Sequence, residues 1–252
     1  MKFFFDSLNA EGALFAKKKF VKIYGQEKVE NADIIVPIGG DGFLLKSLHD
    51  YKDLNKPFYG INFGTIGFLM NSESDESLEK IISKAQNIEL KPLNMKAKSY
   101  TGDLFESIAF NEVSLMRQTH QAAKISININ NVERMKELIC DGILVSTSAG
   151  STAYNLSAHG SILPLNSNLL ALTPISAFRP RRWRGALLPD KTKFNFFVNN
   201  SKIRSTSVTA DHNEFRDIEE VEVTSSTEIK CNLLFDNNHS MDERILKEQF
   251  YS

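Results

Sequence analysis

The segment of this sequence best suited to chemistry is a short turn, Gly39-Gly40-Asp41-Gly42, between an apolar run and a helical pattern. Glycines allow unusual backbone angles and close approach of a ligand, and the N–H groups that begin a helix bind phosphate. A carboxylate beside phosphate is repelled unless it holds a metal or handles a substrate hydroxyl. Asp41 is therefore a candidate to orient an alcohol and accept its proton. The alternative is a plain strand-to-helix turn in which Asp41 caps the helix.

A second loop, residues 62–69, follows the next apolar strand along the chain. Parallel α/β sheets bind ligands at the carboxyl ends of their strands, so this loop is expected near the glycine turn. Phe68 could stack on a base, or it could be an ordinary core aromatic.

The pair Asn111-Glu112 interrupts an apolar run. Adjacent residues of a strand point to opposite faces, so one side chain can face solvent while the other needs a partner or a ligand. An amide and a carboxylate suit ribose hydroxyls and amide groups. The alternative is a strand end with ordinary solvation.

The densest polar segment is 141–157, a strand that opens into a loop of small, hydroxyl-bearing residues. Small residues admit a flat ligand, Ser, Thr and Asn supply donors and acceptors, and Tyr154 supplies an aromatic wall. This composition suits a nucleoside better than a protein partner. A catalytic serine is the competing interpretation, but no G-x-S-x-G turn occurs and His159 has no evident acid partner.

One local cationic cluster is present, Arg179-Pro180-Arg181-Arg182-Trp183-Arg184. It could bind phosphates or nucleic acid. We favour a solvated loop or a subunit contact, because nothing else in the chain is typical of a nucleic-acid-binding module.

The elements that must position these residues change character near Pro92. Before it, strand, glycine turn, helix, strand and helix follow the rhythm of a βαβ unit. From about Met95 to Phe235, many short strand-like runs are separated by turn pairs such as Asn130-Asn131, which predicts an all-β layered domain. We place the domains at 1–94, 95–235 and a tail at 236–252 with a short amphipathic helix.

Composition narrows the function classes. The net charge is -1, so no global field attracts nucleic acid or a membrane surface. The start reaches an acid after three apolar residues, which argues against secretion, and no run approaches a membrane span. The two cysteines, Cys140 and Cys231, fit no zinc or disulfide pattern, and buried thiols in a reducing cytoplasm are expected.

Taken together, the motifs resemble the NAD kinase family. The resemblance rests on GGDG at 39–42, Gly64-Thr65-Ile66-Gly67-Phe68-Leu69, Asn111-Glu112, Asp141-Gly142 and the run 150–157, GSTAYNLS. It implies an α/β N-terminal domain with a Rossmann-like parallel sheet, an all-β sandwich-like C-terminal domain, and a C-terminal tail packing back on the first domain. It implies phosphorylation of the adenosine 2′-hydroxyl of NAD to give NADP. The donor would be ATP or polyphosphate with a divalent cation such as Mg²⁺, in a cytoplasmic homodimer or homotetramer.

By that resemblance, Asp41 accepts the proton of the 2′-hydroxyl. No residue is assigned as a metal ligand. The residues expected to bind substrate and donor are Gly39, Gly40, Gly42, Lys46, Phe68, Asn111, Glu112, Asp141, Ala149, Thr152, Ala153, Tyr154, Ser157 and Asn213.

The sequence departs from the family pattern before Asp141, where Ile139-Cys140 replaces a common Arg-Gly and removes an expected cation. The 179–184 cluster could supply that charge across a subunit boundary. Two rival functions remain: a lipid or sphingoid-base kinase, which shares the GGDG logic, and a non-enzymatic dinucleotide sensor. The nucleoside-type loop disfavours the first, and the presence of Asp41 disfavours the second.

Overall fold

The computed structural model describes residues 1–64, 67–181 and 183–236. The chain divides into two compact units, residues 1–90 with 228–252 and residues 91–227, which we call unit 1 and unit 2. The first part of unit 1 contains, in chain order, β1 (Phe3–Ser7), α1 (Glu11–Tyr24), β2 (Ile34–Gly39), α2 (Asp41–Tyr51), β3 (Ile61–Asn62), α3 (Leu78–Ile82) and β4 (Gln86–Leu90).

Unit 1 is built around a parallel sheet in the order β1-β2-β3. Every residue of the central strand β2 is buried, as expected of a parallel strand covered on both faces. Helix α1 turns Ala13, Ala16 and Phe20 inward at helical spacing, and Phe20 stacks on Phe5 of β1 with ring centroids 5.7 Å apart. This packing fixes the end of β2, from which the glycine turn leaves the sheet.

Unit 2 is almost entirely antiparallel. Its elements are β5 (Leu93–Ser99), β6 (Leu104–Ala109), β7 (Glu112–Arg117), β8 (Ala123–Ile129), β9 (Val132–Cys140), β10 (Gly142–Ser146), α4 (Tyr154–Ser157), β11 (Leu169–Ile175), β12 (Ala186–Pro189), β13 (Phe194–Val198), β14 (Thr206–Ala210), β15 (Asn213–Phe215) and β16 (Ile218–Ser225).

These strands form two six-stranded sheets, in the orders β12-β11-β10-β7-β14-β15 and β6-β5-β16-β13-β8-β9. One hydrophobic core contains buried residues from both sheets, so unit 2 is a β-sandwich. The strand β10 is buried at all five positions and pairs with β7 so that Ser146 lies opposite Glu112. This register brings the loop after β10 to the start of β7.

The predicted fold class is confirmed: a parallel sheet with helices comes first, and an antiparallel β unit follows. The last described strand, β17 (Cys231–Phe235), pairs with β4 and belongs to unit 1, whereas the sequence analysis grouped it with the β-rich domain. Alternating apolar residues do not identify the partner of an isolated strand. The predicted helical tail lies outside the described residues. None of the described helices combines the length and apolar character that a membrane crossing requires.

Candidate active site

The glycine turn joins β2 to α2, as the sequence predicts. Helix α2 begins at Asp41, and Gly40 occupies the N-cap position. Asp41 is therefore the first residue of the helix and not its cap. The alternative in which its carboxylate caps α2 is wrong.

The carboxylate of Asp41 instead binds the second loop. Its Oδ2 accepts a hydrogen bond from the N–H of Phe68 at 2.7 Å, and its Oδ1 accepts from the N–H of Leu69 at 3.0 Å. Together with the hydrogen bond from the N–H of Phe63 to the carbonyl of Gly39 at 2.7 Å, these contacts confirm that the described parts of the loop, 62–64 and 67–69, lie against the glycine turn. These two backbone donors fix the orientation of the carboxylate, whose oxygens act only as acceptors when it is ionised.

The three glycines of the turn serve different purposes. None has a positive φ, so the expectation that they supply unusual backbone angles is wrong. A Cβ on Gly39 would lie 2.9 Å from the Cβ of Phe43, which makes this glycine a packing requirement. A Cβ on Gly40 or Gly42 would meet nothing within 4 Å. Close approach of a ligand is therefore the remaining reason for these two glycines.

The other two candidates in unit 1 have different surroundings. Lys46 is exposed and forms an ion pair with Asp50 one helical turn further along α2, which raises the pKa of its ammonium group. Phe68 is half-buried, and its backbone N–H is the donor to Asp41. Phe68 thus contributes to the position of the acid through its main chain.

In unit 2, the segment around Asn111-Glu112 is held by a residue, Asp211, that the sequence does not mark as part of the site. Asp211 lies in the turn between β14 and β15 with φ 52°. Its carboxylate accepts hydrogen bonds from the N–H groups of Phe110 at 2.7 Å, Asn111 at 3.0 Å and Glu112 at 3.3 Å. The sequence feature that could have identified Asp211 is an Asp in a tight turn, because Asp tolerates a positive φ and its side chain binds nearby backbone groups.

The opposite side of the same segment is bound by the end of β10. The hydroxyl of Thr147 donates to the carbonyl of Phe110 at 2.6 Å, and the N–H of Thr147 donates to the carbonyl of Asn111 at 2.9 Å. The hydroxyl of Ser146 also donates to the carbonyl of Asn111, at 3.3 Å. The backbone of Asn111 is thus saturated on both sides, which fixes the directions of its own side chain and that of Glu112.

Two acceptor atoms of this segment remain unsatisfied. The Oδ1 atom of Asn111 and the Oε2 atom of Glu112 are buried and accept no hydrogen bond from the described residues. Leaving a buried polar atom unpaired costs about 1–3 kcal/mol, so such atoms are uncommon unless a ligand completes them. The geometry calls for a ligand with hydrogen-bond donors, such as hydroxyl or amide N–H groups.

The electrostatics of Glu112 agree with this interpretation. Burial, followed by the neighbouring charge of Asp211, raises its pKa from 4.5 to about 7, and the N–H of Tyr154 opposes the shift by donating to the carboxylate. A strongly shifted carboxyl group among converging polar groups is typical of a functional site. Glu112 is therefore poised between its neutral and charged forms near neutral pH.

The hydroxyl-rich loop divides into anchors and a ligand-facing surface. Ser151 and Asn155 are fully buried. The Ser151 hydroxyl donates to the carbonyl of Ser148 at 2.7 Å and accepts from the N–H of Leu163 at 2.9 Å. With its hydroxyl engaged in this way, Ser151 is a structural residue, which disfavours the serine-hydrolase interpretation.

Five predicted contacts come from this loop. Ala149 is buried, Thr152, Ala153 and Tyr154 are half-buried, and Ser157 is exposed. The short α4 helix presents Tyr154, whose N–H reaches Glu112 and whose hydroxyl donates to the sulfur of Met116 at 3.4 Å. A Cβ on Gly150 would lie 2.3 Å from the carbonyl oxygen of Asn111. This glycine is therefore required for the loop to approach the Asn111-Glu112 segment.

Asp141 has a cationic partner that the sequence does not indicate. The Nε of Arg117, at the end of β7, lies 2.5 Å from Oδ1 of Asp141. The suggestion that the 179–184 cluster replaces the cation missing before Asp141 is therefore unnecessary within this chain. The described side chains of that cluster include Arg179 and Arg181, which lie over the ring of Phe178.

Asn213 has a different environment from the other candidates. It is exposed, and its amide donates to the hydroxyl of Ser107 at 3.3 Å. Asp211, two residues earlier, is the member of this turn that binds the Asn111-Glu112 segment.

The described residues provide no dedicated metal cage. Among them, no group of three or more His, Cys, Asp or Glu side chains converges on one point. Magnesium is commonly held through one or two carboxylates together with substrate phosphates, an arrangement that needs no such group.

The fold and these residues define a class. An anchored acid in a glycine turn of an α/β unit, together with a β-sandwich unit carrying a polar nucleoside-type loop, is typical of a nucleotide-dependent phosphotransferase.

A family model described as the ATP-NAD kinase C-terminal domain matches residues 110–242. NAD kinase of Xylella fastidiosa strain 9a5c is 50% identical over 98% of this chain and 95% of its own. NAD kinase of Rickettsia canadensis strain McKiel is 50% identical over 91% of this chain and 90% of its own. The chain belongs to the NAD kinase family.

Two solved structures share the fold. The crystal structure of yeast NADH kinase complexed with NADH matches with a TM-score of 0.80 and 18% identity, over all of this chain and 88% of the other. The NAD kinase from Archaeoglobus fulgidus in complex with ATP matches with a TM-score of 0.78 and 22% identity, over 98% of each chain.

Proposed function

We propose that this protein transfers the γ-phosphoryl group of ATP to the adenosine 2′-hydroxyl of NAD, giving NADP and ADP. The observation that carries this proposal is the carboxylate of Asp41, which is held by two backbone N–H groups at a glycine turn and does not cap its own helix. Such a fixed acid at the start of a helix suits the orientation of an alcohol beside phosphate.

In this reaction the 2′-oxygen forms a bond to the γ-phosphorus while the bond from that phosphorus to the bridging oxygen breaks. The hydroxyl proton passes to the carboxylate of Asp41, and ADP leaves with the bridging oxygen. Because phosphoryl transfer is loose, the proton leaves late, and Asp41 acts mainly by orienting the hydroxyl. A divalent cation bound with the donor would neutralise the negative charge of its phosphates.

The glycine turn has the room that phosphates require. Gly40 and Gly42 face open space, and the N–H groups at the start of α2 supply donors and a positive dipole end. Gly39 holds the turn by packing, and Lys46 is the predicted cation on the same helix. We assign donor phosphates to this turn. We also propose that polyphosphate is an alternative donor, because the recognition uses phosphate charge and not a base.

The dinucleotide is assigned to unit 2. The unsatisfied acceptors of Asn111 and Glu112 bind hydroxyl or amide donors of NAD, and Asp211 keeps them in place. Tyr154 provides an aromatic wall. The remaining proposed contacts are Phe68, Asp141, Ala149, Thr152, Ala153, Ser157 and Asn213.

We further propose that the protein works in the cytoplasm as a homo-oligomer. Cys140 and Cys231 are both buried and unpaired, and burial raises the pKa of each thiol to about 12, which makes them unreactive. Two protonated, buried thiols are compatible with a reducing compartment. Light scattering of the purified protein would measure the oligomeric state, and a monomer at all concentrations would contradict the second part of the proposal.

The activity is tested by incubating the purified protein with NAD, Mg²⁺ and either ATP or polyphosphate. The product is detected with a dehydrogenase that accepts only the 2′-phosphorylated cofactor. We expect a signal with ATP, and none when diacylglycerol replaces NAD as acceptor. Phosphorylation of diacylglycerol but not of NAD would favour the lipid-kinase alternative. Saturable NAD binding without any product would favour the sensor.

A further inference from the structure

A cavity of about 440 Å³ opens at one edge of the β-sandwich of unit 2, between the two sheets. Its walls include Ile127 and Ile129 of β8, Leu172 of β11 and Leu188 of β12, with Trp183 from the preceding loop. Ile127 and Leu172 belong to the buried core, while the other three pack against it and remain partly exposed. The hydrophobic core of unit 2 therefore continues into the wall of an open cavity.

The rim of this cavity is cationic. Arg134 of β9 and Lys191 of the turn after β12 both line it and both are exposed. Neither side chain forms an ion pair with any residue that the structure describes, and none of the twelve described lining residues is acidic. The adjacent Asp190 lies 3.6 Å from Lys91 and is thereby partly neutralised. The cavity thus combines an aliphatic interior with a positive entrance.

The cavity is separate from the residues assigned to the dinucleotide. Leu172 and Thr173 are adjacent in β11, so their side chains point to opposite faces of the sheet. Leu172 lines the cavity, whereas the hydroxyl of Thr173 donates to Oδ1 of Asn155 in the hydroxyl-rich loop. The cavity and the hydroxyl-rich loop therefore lie on opposite faces of the same strand.

We propose that this cavity binds a free aliphatic carboxylate, with its tail between the sheets and its head group at Arg134 and Lys191. A volume of about 440 Å³ corresponds to about fifteen water molecules at ~30 Å³ each, which suits a carboxylate with a tail of about ten to twelve carbons. The aliphatic walls supply few partners for the polar rings of a nucleotide, while the two cations select a negative head group.

The only tryptophan of the chain is Trp183, so intrinsic fluorescence reports directly on this cavity. The full-length protein is titrated with even-numbered carboxylates from hexanoate to tetradecanoate, each below its micellar concentration. Each buried methylene contributes a factor of about four to affinity. We expect Kd to fall steeply with tail length until the cavity is filled at about twelve carbons, and then to level off.

Head-group selectivity is tested with decanoate, decanol and decyltrimethylammonium, which share one tail length. Decanoate is expected to bind most tightly and the cation most weakly. Arg134→Gln and Lys191→Gln each weaken decanoate binding by about two- to fivefold, the range for exposed ion pairs, and leave decanol binding unchanged. The matched control is Lys202→Gln, which removes the same charge from an exposed position outside the cavity.

A filling variant tests the position of the tail. Ala186→Leu places added carbons at the cavity wall, and we expect its chain-length plateau to fall by about three carbons while the preference for a negative head group is retained.

Three results would overturn the proposal. They are the absence of saturable quenching, equal affinity for the cationic amphiphile, and binding only to phospholipid vesicles and not to free carboxylates. Dissociation of a protein dimer by decanoate in sedimentation experiments would likewise show that a second copy of this chain, and not a carboxylate, covers the cavity.

Discussion

Replacing Glu112 with glutamine is expected to stabilise the protein at alkaline pH while weakening its affinity for NAD. Burial and the charge of Asp211 raise the pKa of Glu112 from 4.5 to about 7. A shift of this size corresponds to roughly 3 kcal/mol, because each pKa unit is about 1.4 kcal/mol. At pH values between 4.5 and about 7, the carboxyl group of Glu112 therefore binds its proton in the folded state and releases it in the unfolded state. The contribution of Glu112 to the free energy of unfolding is therefore fully present below pH 4.5 and is lost as the pH rises to about 7.

Glutamine stays neutral at every pH and does not incur this loss. At about pH 8 the Glu112→Gln variant should be more stable than wild type by up to ~3 kcal/mol, or roughly 6–12 °C in thermal midpoint. At about pH 4.5 the two proteins should melt together. Urea unfolding and calorimetry at both pH values measure this difference. The control is Glu133→Gln, an exposed position on β9, where the change should stay within about 0.5 kcal/mol.

The same variant should bind NAD more weakly, because a charged acceptor for the ligand's donors is lost. Glutamine keeps a neutral acceptor, and a hydrogen bond to a charged group is stronger than a neutral one by about 1–1.5 kcal/mol, so Kd should rise by roughly 5- to 13-fold in calorimetric titrations. A substitution that stabilises the fold but weakens ligand binding is typical of a residue whose role is to bind the ligand. An unchanged or lower stability at pH 8, with the wild-type pH slope, would refute the burial argument.

Gly42, Asp211 and the proton of Glu112 can each be tested separately. Gly42 and Gly12 are each the second residue of a helix, and a Cβ at either position would meet nothing within 4 Å. Gly42→Ala and Gly12→Ala should therefore both raise the free energy of unfolding by up to ~1 kcal/mol. Only Gly42→Ala should slow turnover in a steady-state assay. Asp211→Asn should cost about 1–3 kcal/mol in urea unfolding and lower the pKa of Glu112, while Asp217→Asn, at a similar positive φ, should be nearly neutral. NAD binding at about pH 7 should release up to about half a proton from Glu112, seen by calorimetry in buffers of different ionisation enthalpy and absent in Glu112→Gln.

The order of elements in unit 1 was readable from the sequence because hydrophobic periodicity there is strong. The strand before the glycine turn and the helix after it both occur where the pattern predicts them. Pro37 does not lie where the pattern predicts it. The sequence favours a position at the end of a strand, but Pro37 lies inside β2, opposite Asp6 of β1. The short β3 begins opposite Ile38, so no residue of β3 pairs with the proline and its missing donor is tolerated there.

The candidate site was only partly predictable, because contacts between distant segments leave no local pattern. The motif residues Asp41, Asn111 and Glu112 stood out by their chemical type. Their anchors, Asp211 and Thr147, did not, since they act on backbone groups far away in sequence. The same holds for the ion pair of Arg117 with Asp141, which depends on the register of β7 with β10.

Asp41 is the residue on which the proposed chemistry depends, and its removal is the most direct test. Asp41→Asn keeps the size of the side chain and loses the proton acceptor, so kcat should fall by about 10²- to 10⁴-fold. Asparagine has only one acceptor oxygen for the N–H groups of Phe68 and Leu69, so the affinity for NAD, measured separately by titration, should change, but by much less than kcat. Asp53→Asn, which changes an exposed acid just after the same helix, should keep full activity. The account predicts this separation of kcat from NAD affinity. Wild-type formation of NADP by Asp41→Asn would contradict it.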